Sequence, residues 1–458
     1  MNGSTELYPF QKRGVRAIHH YNGRVLLADE MGLGKTYQVL QWLKEQPDVR
    51  PVVVVTPAHL KGFWQNEARR KTGLHAVVLN GIKPTPIPKR LRGSLIIILN
   101  YEILKGWVDV LLELEPQCLV IEEAHYCKNR RAKRTKLIRR LAKVAQHCIA
   151  ISGTPLLNRP AELFPTLNML WPEKYPSFFS YATRYCNPVH KPWGMDYKGA
   201  IHIKELHNKL TEVGMIRRRK ADVLQDLPLK QRTVIPVNIE LQSYMEAQVN
   251  FLTWLAKQSL EKAERASKAL EITKLGYLKR LAATEKLPQV ISWIDDYLEE
   301  TNDKLVIYGI HKAVVRSLYN HYRSISVCLD GSTPKKERAT IVRVFQQNKR
   351  IRLFIGNIQA AGTGITLTAA SRLLFAEIDW VPANMTQAED RVHRIGQKQH
   401  VDITYLVAKG TIEEKLCEII QRKQQIVSQT LDGETVVGNE LNVFDALLES
   451  MKKENDLL

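Results

Sequence analysis

Apolar positions in this chain fall mostly in short unbroken runs, each too short for a helix and rich in β-branched residues. In the first half these are Val25 to Ala28, Val52 to Val55, Leu95 to Leu99, Cys118 to Ile121 and Cys148 to Ile151. A run that is apolar at every position, not at every second one, predicts a strand covered on both faces, as in a parallel sheet. The stretches between them, such as Tyr37 to Glu45 and Thr135 to Ala145, are polar at helical period and predict crossover helices. A second series follows at Lys304 to Tyr308, Ser326 to Leu329, Arg352 to Ile355, Arg372 to Phe375 and Val401 to Val407. The expected fold class is α/β, with two doubly wound parallel-sheet lobes.

Between the two series the pattern turns mainly helical, with a Pro-rich interruption around Pro188 to Trp193. Pro228 forces its predecessor out of helix and marks a hinge. The expected division is a first lobe over 1–228 with a helical insertion at about 156–215, and a second over 229–458. The second carries a helical insertion at about 240–297, where Leu241 to Ala283 reads as one or two long helices, and closing helices at about 411–458. Within these, Val443, Phe444, Leu447, Leu448 and Met451 share one stripe.

Composition narrows the function. With 44% hydrophobic and 25% charged residues the chain is ordinary globular protein, which excludes wholesale disorder. Its longest apolar runs, Pro51 to Val55 and Leu95 to Leu99, fall far short of the ~20 residues that span a bilayer. The start, MNGSTELYPFQ, lacks the pattern of a secretory signal, and six scattered cysteines without a C-x-x-C pair argue against disulfides and zinc. An intracellular protein without a membrane partner is expected. Lys and Arg number 67 against 47 Asp and Glu, a net charge of +20, which suits a partner covered in phosphates. The excess is clustered: Lys128 to Lys143 holds nine basic residues and no acidic one, and Arg217 to Lys220 forms a second knot. Such runs are commonly solvated faces, so the chemistry must come from elsewhere.

Open α/β sheets bind ligands beyond the carboxyl ends of their strands. The first strand runs into DEMGLGKT, Asp29 to Thr36. Gly32 and Gly34, on either side of Leu33, let backbone wrap a phosphate, the following helix offers unpaired N–H groups, Lys35 supplies a point charge, and the Thr36 hydroxyl can ligate Mg²⁺. The strict phosphate-loop pattern would have Gly where this chain has Asp29. The strand Cys118 to Ile121 leads into Glu122, Glu123, Ala124 and His125; two carboxylates at the end of a buried strand are costly unless they face a cation or a polar cleft. The pair therefore suggests a metal and a water-polarising base. Ser152 to Pro155 is a small hydroxyl-bearing turn fit to relay changes at a phosphate site. In the second half come Ala361, Gly362, Thr363, Gly364 and Ile365, then QAEDRVHRIGQ from Gln387 to Gln397. Taken as a helix, that segment places Gln387, Arg391 and Arg394 on one face with Gly396 near its end.

The ordered set LYPFQKRGV, DEMGLGKT, VVVVTPAHLKGFW, LNYE, EEAHYCKN, ISGTPLLNRPAELF, MIRRRKADVL, LDGSTPKKER, AAGTGITLTAA and QAEDRVHRIGQ resembles the Swi/Snf-type branch of superfamily-two helicase-like ATPases, over about residues 7 to 430. The resemblance implies two RecA-like lobes with helical insertions and C-terminal brace helices, binding ATP and Mg²⁺, acting on double-stranded DNA mainly through its phosphate backbone, and working as a monomer. It implies that Gln11 reads adenine, that Gly32, Gly34, Lys35 and Thr36 hold phosphate and Mg²⁺, and that Gly362 and Gly364 belong to a nucleotide-facing motif. By the same resemblance Glu122 is the Mg²⁺-associated carboxylate, acting through water, Glu123 the water-activating base, His125 the coupling residue, and Arg391 and Arg394 the arginine fingers. The family has Asp where this chain has Glu122, a shift of ~1.5 Å in the charge. The resemblance also implies contacts to the DNA backbone at Thr56, Pro57, Leu60, Lys61, Asn100, Gly331, Ser332 and Thr333. The compact motor and the stretch IYGIHK are similar to fork-remodelling enzymes of the SMARCAL kind. Three activities stay open: translocase, fork-remodelling or annealing helicase, and an ATP-gated DNA switch slowed by Glu122. Targeting is expected from another protein, and the cell compartment to be a bacterial or phage-infected cytoplasm or nucleoid, or a nucleus in a eukaryote.

Overall fold

The β-branched runs form strands whose two faces feed two different cores. In the computed structural model the described residues are 6–85, 96–156, 159–191, 194–197, 199–224, 226–249, 270–362, 364–414, 416–417, 420 and 429–432. Along the first-half strands Leu26, Val53, Val55, Ile97, Leu99, Leu119 and Ile121 face one cluster, with the helices Leu104–Glu113 and Lys133–Val144. Their neighbours Val25, Leu27, Val52, Val54, Ile96, Ile98 and Val120 face the other, with Pro9–His20 and Lys35–Glu45. Period-two side-chain alternation with both faces apolar is what a doubly wound sheet requires.

The strands are β1 (Arg24–Leu27), β2 (Val52–Thr56), β3 (Ala76–Val78), β4 (Ile96–Asn100), β5 (Cys118–Glu122), β6 (His147–Ile151) and, after a hairpin of β7 (Val189–Lys191) and β8 (Gly194–Asp196), β9 (Met215–Ile216). They pair, all parallel, in the order β3-β4-β2-β5-β6-β1-β9, with the antiparallel hairpin apart. The Pro-rich interruption supplies the first strand of that hairpin, and its residues 192 and 193 lie outside the described residues. The second half contributes β10 (Lys230–Val237), β11 (Leu305–Gly309), β12 (Ser326–Leu329), β13 (Leu353–Asn357), β14 (Arg372–Phe375) and β15 (Val401–Ala408), ordered β10-β15-β14-β11-β13-β12, again parallel. Every expected strand lies within two residues of an observed one at each end. The short β3 and β9 and the edge strand β10 were not anticipated; β10 opens on the polar stretch Lys230 to Thr233 and turns apolar only from Val234, so it lacks the unbroken apolar run that marks a strand buried on both faces.

Two compact units result: Met1–Asp226 with Gln424–Thr435, and Leu227–Lys423 with Val436–Leu458. Among the expected closing helices, residues 429–432 pack with the first unit, where Leu431 joins its core, and not with the second. The expected stripe at 442–453 lies outside the described residues, as does most of 411–430. The long helical stretch is described as Gln242–Val249 and Leu270–Glu285, followed by Leu287–Glu300. Among the described residues no helix is long and apolar enough to cross a membrane, and all six cysteines are free thiols.

Candidate functional site

Sheet order explains which loops meet. Because β6 lies between β5 and β1, the turn after β6 sits between the glycine loop that follows β1 and the carboxylates that end β5. Gly32 and Gly34 adopt φ of 84° and 74°, a left-handed conformation that costs a side chain ~1–2 kcal/mol and costs glycine little. Gly34 is the N-cap of Lys35–Glu45 with no side chain capping it, so the first N–H groups of that helix stay available to an anion. A Cβ at Gly153 would lie 2.4 Å from Met31 and 3.2 Å from Lys35 Nζ, so the turn after β6 must be glycine to approach the loop.

Lys35 Nζ donates to the carbonyls of Asp29 at 2.7 Å and Glu30 at 3.1 Å. Burial lowers its pKa, against the opposing pull of Glu123, Asp29 and Glu122. Glu122 is buried and accepts from the Trp64 indole N–H at 3.0 Å and from the Thr36 hydroxyl. Burial, and next the charge of Glu123, push its carboxyl up to about 8. Glu123, at a left-handed φ of 52°, turns its carboxylate toward Ser152 and His125: Oε2 accepts from Ser152 Oγ at 3.4 Å and lies 3.2 Å from His125 Nδ1, which is itself 3.2 Å from Ser152 Oγ. The Tyr101 hydroxyl donates to the Glu122 carbonyl at 2.6 Å and fixes the backbone between the two acids.

Asp29 does not face the loop's mouth. Its fully buried carboxylate accepts from Arg218 Nε at 2.8 Å and from Gln38 Nε2 at 3.1 Å, while only its carbonyl meets Lys35. Gln11 is likewise tied inward: Nε2 donates to the Leu33 carbonyl at 3.1 Å and Oε1 accepts from Tyr8 N at 3.0 Å. The basic knot Arg217 to Lys220 is not an open surface. Arg217 and Arg218 are ion-paired to Asp432 and Asp29, Lys220 is buried, and only Arg219 reaches solvent appreciably. Charge counting missed this because it cannot tell an inward arginine from an outward one.

The second-half motif departs from the helix expected over Gln387 to Gln397. The helix is Pro382–Glu389, and Arg391 and Arg394 follow it in turns. Tertiary pairing ends it: the Arg391 carbonyl accepts from Leu367 N at 2.8 Å in place of a helical donor, and Val392 and His393 turn into the interior. Arg391 Nε still reaches back to the Gln387 carbonyl at 3.0 Å, and Arg394 Nη1 donates to the Ile365 carbonyl at 3.2 Å. Burial, then the neighbouring Arg391 charge, bring Arg394 down to about 10. Gly362 closes the helix Ile358–Ala361, and Gly364 takes a φ of 72°; Thr363 lies outside the described residues. Behind the motif Glu389 is buried against Lys230 at 3.0 Å and Arg232 at 2.7 Å, with the Tyr405 hydroxyl on its other oxygen. His393 Nε2 lies 2.8 Å from the Pro228 carbonyl. Neither network carries a sequence signal, since its members are spread over more than 150 residues.

The proposed DNA contacts are partly engaged within the fold. Lys61 Nζ donates to the Leu79 carbonyl and to Asn80 Oδ1, Asn100 Nδ2 donates to Glu102, and Ser332 caps onto Asp330. The helix Lys133–Val144 buries Thr135, Ile138, Leu141 and Ala142 and exposes Lys133, Arg134, Lys136, Arg140 and Lys143.

A glycine loop with a lysine, a hydroxyl and two carboxylates opposite it offers the kinds of group that polyphosphate binding uses. The SNF2-related domain matches residues 10–289, and the Helicase conserved C-terminal domain matches residues 285–396. The chain belongs to the SNF2-related family. Members are helicase-like ATPases, and the two parallel sheets are the two RecA-like lobes of that fold. Among SNF2-family relatives, the mouse (Mus musculus) DNA annealing helicase and endonuclease ZRANB3 is 35% identical over 94% of this chain and 41% of its own length. The Caenorhabditis elegans homolog of SWI/SNF-related matrix-associated actin-dependent regulator of chromatin subfamily A-like protein 1 is 33% identical over 92% of this chain and 61% of its own. The chain thus spans between two fifths and three fifths of these relatives. The Sulfolobus solfataricus SWI2/SNF2 ATPase core in complex with dsDNA aligns over 96% of each chain with 24% identity and a TM-score of 0.43.

Proposed function

We propose that the chain is a motor that hydrolyses ATP, with Mg²⁺, to translocate on double-stranded DNA. The observation that carries the reading is the convergence of Lys35, Thr36, Glu122 and Glu123 round the glycine loop at the carboxyl ends of β1 and β5. The donor set suits a divalent cation: a hydroxyl and a buried carboxyl that lacks a full counter-charge, so that a cation would offset the cost of ionising Glu122. Among the described residues no three His, Cys, Asp or Glu side chains form a metal site by themselves, which fits Mg²⁺ held by Thr36, by nucleotide oxygens and, through water, by Glu122. Bound there, Mg²⁺ would neutralise phosphate charge.

In this reading the helix N-terminus and Lys35 bind the phosphates, and Gln11 reads the base. Ser152 and His125 hold Glu123 so that its carboxylate accepts the proton of an attacking water, a task of positioning more than of covalent chemistry. Arg391 and Arg394 carry guanidinium charge for the departing phosphate, with Gln387 supporting Arg391, and Gly362 and Gly364 allow close backbone approach. The exposed face of Lys133–Val144 holds the DNA phosphates without reading sequence. One chain suffices for this cycle, targeting comes from a partner protein, and the compartment is whichever holds duplex DNA, nucleoid or nucleus.

The test is Mg²⁺-dependent ATP hydrolysis with no nucleic acid, duplex DNA, single-stranded DNA or RNA at one stated salt concentration. Stimulation by duplex DNA is the expected result, and equal rates in all four would overturn it. A second reading, fork remodelling or strand annealing by the same motor, is favoured by the annealing activity in the name of ZRANB3. A replication-protein-coated bubble closed in an ATP-dependent way would distinguish it from plain translocation.

A further inference from the structure

Arg217 follows β9 and points its guanidinium into the first unit. Nη1 donates to two carbonyls, Ala28 at 2.8 Å and Gly153 at 3.2 Å. Those carbonyls flank Lys35: Ala28 precedes the glycine loop, and Gly153 belongs to the turn packed against Lys35 Nζ. The opposite edge of the same guanidinium faces Asp432, 215 residues further along, with Nε to Oδ1 at 2.8 Å and Nη2 to Oδ2 at 3.5 Å. Both side chains are nearly enclosed, at 13% and 14% exposure. Asp432 is anchored in turn, since its neighbour Leu431 is buried in the core of the first unit and the Thr430 carbonyl meets His207 Nδ1 at 3.2 Å. Glu30 is a weaker partner, 3.9 Å from Arg217, and its other oxygen accepts Lys220 N at 2.6 Å.

A guanidinium is a rigid planar fork, so fixing its Nε edge fixes the direction of Nη1. We propose that Asp432 is a positioning residue for the phosphate loop: by holding Arg217 it keeps the end of β1 and the Ser152–Gly153 turn at the spacing in which Lys35 lies between them. The proposal rests on the ATP-site reading above. It makes a segment remote in sequence from every nucleotide motif a determinant of nucleotide affinity. The charge of Arg217 also acts on Lys35, disfavouring its ammonium after the larger effect of burial, and a carboxylate on Arg217 blunts that repulsion.

The experiment uses the full chain and four variants, Asp432→Ala, Asp432→Asn, Asp432→Glu and, as a packing control, Leu431→Ala. Affinity for a fluorescent ATP analogue with Mg²⁺, the steady-state KM and kcat for ATP, and the melting temperature are read for each. Asp432→Ala and Asp432→Asn are expected to weaken analogue binding and raise KM about tenfold, the effect of losing one charge-assisted hydrogen bond, with kcat changing less. Asp432→Glu is expected to recover most of the affinity, and Leu431→Ala to lower the melting temperature without that rise in KM. Analogue binding within twofold of wild type in both Asp432→Ala and Asp432→Asn would overturn the proposal. So would a KM rise shared by Leu431→Ala in step with its lost stability, which marks a purely structural role. A wild-type chain that binds no nucleotide would remove the ATP-site reading itself; one that binds it while the Asp432 variants match it removes only the positioning role.

Discussion

Trp64 donates its indole N–H to Glu122 Oε2 at 3.0 Å, joining the crossover helix Lys61–Glu67 to the carboxyl end of β5. The indole that holds this carboxylate is wholly buried. The Glu122 side chain is thus held at its tip.

Glu122→Asp therefore has two expected effects. The shortened carboxylate leaves the indole N–H buried without an acceptor, so stability falls by ~1–3 kcal/mol. Turnover changes little, because the wild-type geometry already serves a motor. Denaturant titration and ATPase assays on the same preparation check both; a sharp acceleration would instead favour the ATP-gated switch.

The raised pKa of Glu122 makes folding depend on pH in a definite direction. Between the ordinary carboxyl value of ~4.3 and the folded value of about 8 the folded chain keeps a proton that the unfolded chain has lost. Stability contributed by this group is then present below that window and lost as pH rises through it. Glu122→Gln is expected to flatten that part of the profile, and Mg²⁺ with nucleotide to do the same for wild type. Melting curves at ~pH 5 to 8 test it; parallel profiles for wild type and variant would contradict it.

Glu389 behaves oppositely. Burial alone would raise its pKa, but the charges of Arg232 and Lys230 and the bonds from Arg232 and Tyr405 outweigh burial and hold it far below the usual range. Its contribution to stability is present above ~pH 4.3 and lost as pH falls below it. Glu389→Gln should cost ~3–5 kcal/mol at neutral pH, since two largely enclosed cations lose their buried counter-charge, and the variant should lose less than wild type on acidification. Chemical denaturation followed at neutral and acid pH reads both.

Lys35→Ala should abolish turnover, and retained hydrolysis would sink the site. Arg394→Ala should lower kcat by about a hundredfold or more while ATP affinity changes little, the signature of charge offered mainly in the transition state. The reverse pattern would take Arg394 out of that role.

Replacing Lys133, Lys136 and Lys143 together by Ala leaves the buried stripe Ile138, Leu141 and Ala142 untouched, so the helix should stay folded. Duplex affinity should fall uniformly across sequences, and the salt slope of binding should shrink by ~0.9 for each phosphate that is no longer neutralised. Binding isotherms over a salt series measure it, and an unchanged slope would return this helix to a merely solvated face.

What the sequence determined alone is local. Ten strands were legible because a strand buried on both faces must be apolar at every position, and the glycine loop, the acid pair and the paired arginines stood out as candidates because each places residue types that phosphate chemistry uses close together in the chain. What the tertiary structure decided is where side chains point and which distant ones meet. Nothing local to Asp29 says that Arg218 will draw its carboxylate into the interior, or that Leu367 will take the Arg391 carbonyl and end a helix that propensity would have continued. Trp64 on Glu122, Arg232 on Glu389 and Asp432 on Arg217 are likewise pairs brought together by sheet order and packing, separated by 58, 157 and 215 residues. A periodic pattern reports whether a position is inside; a buried charge finds its partner only once the strands are in order.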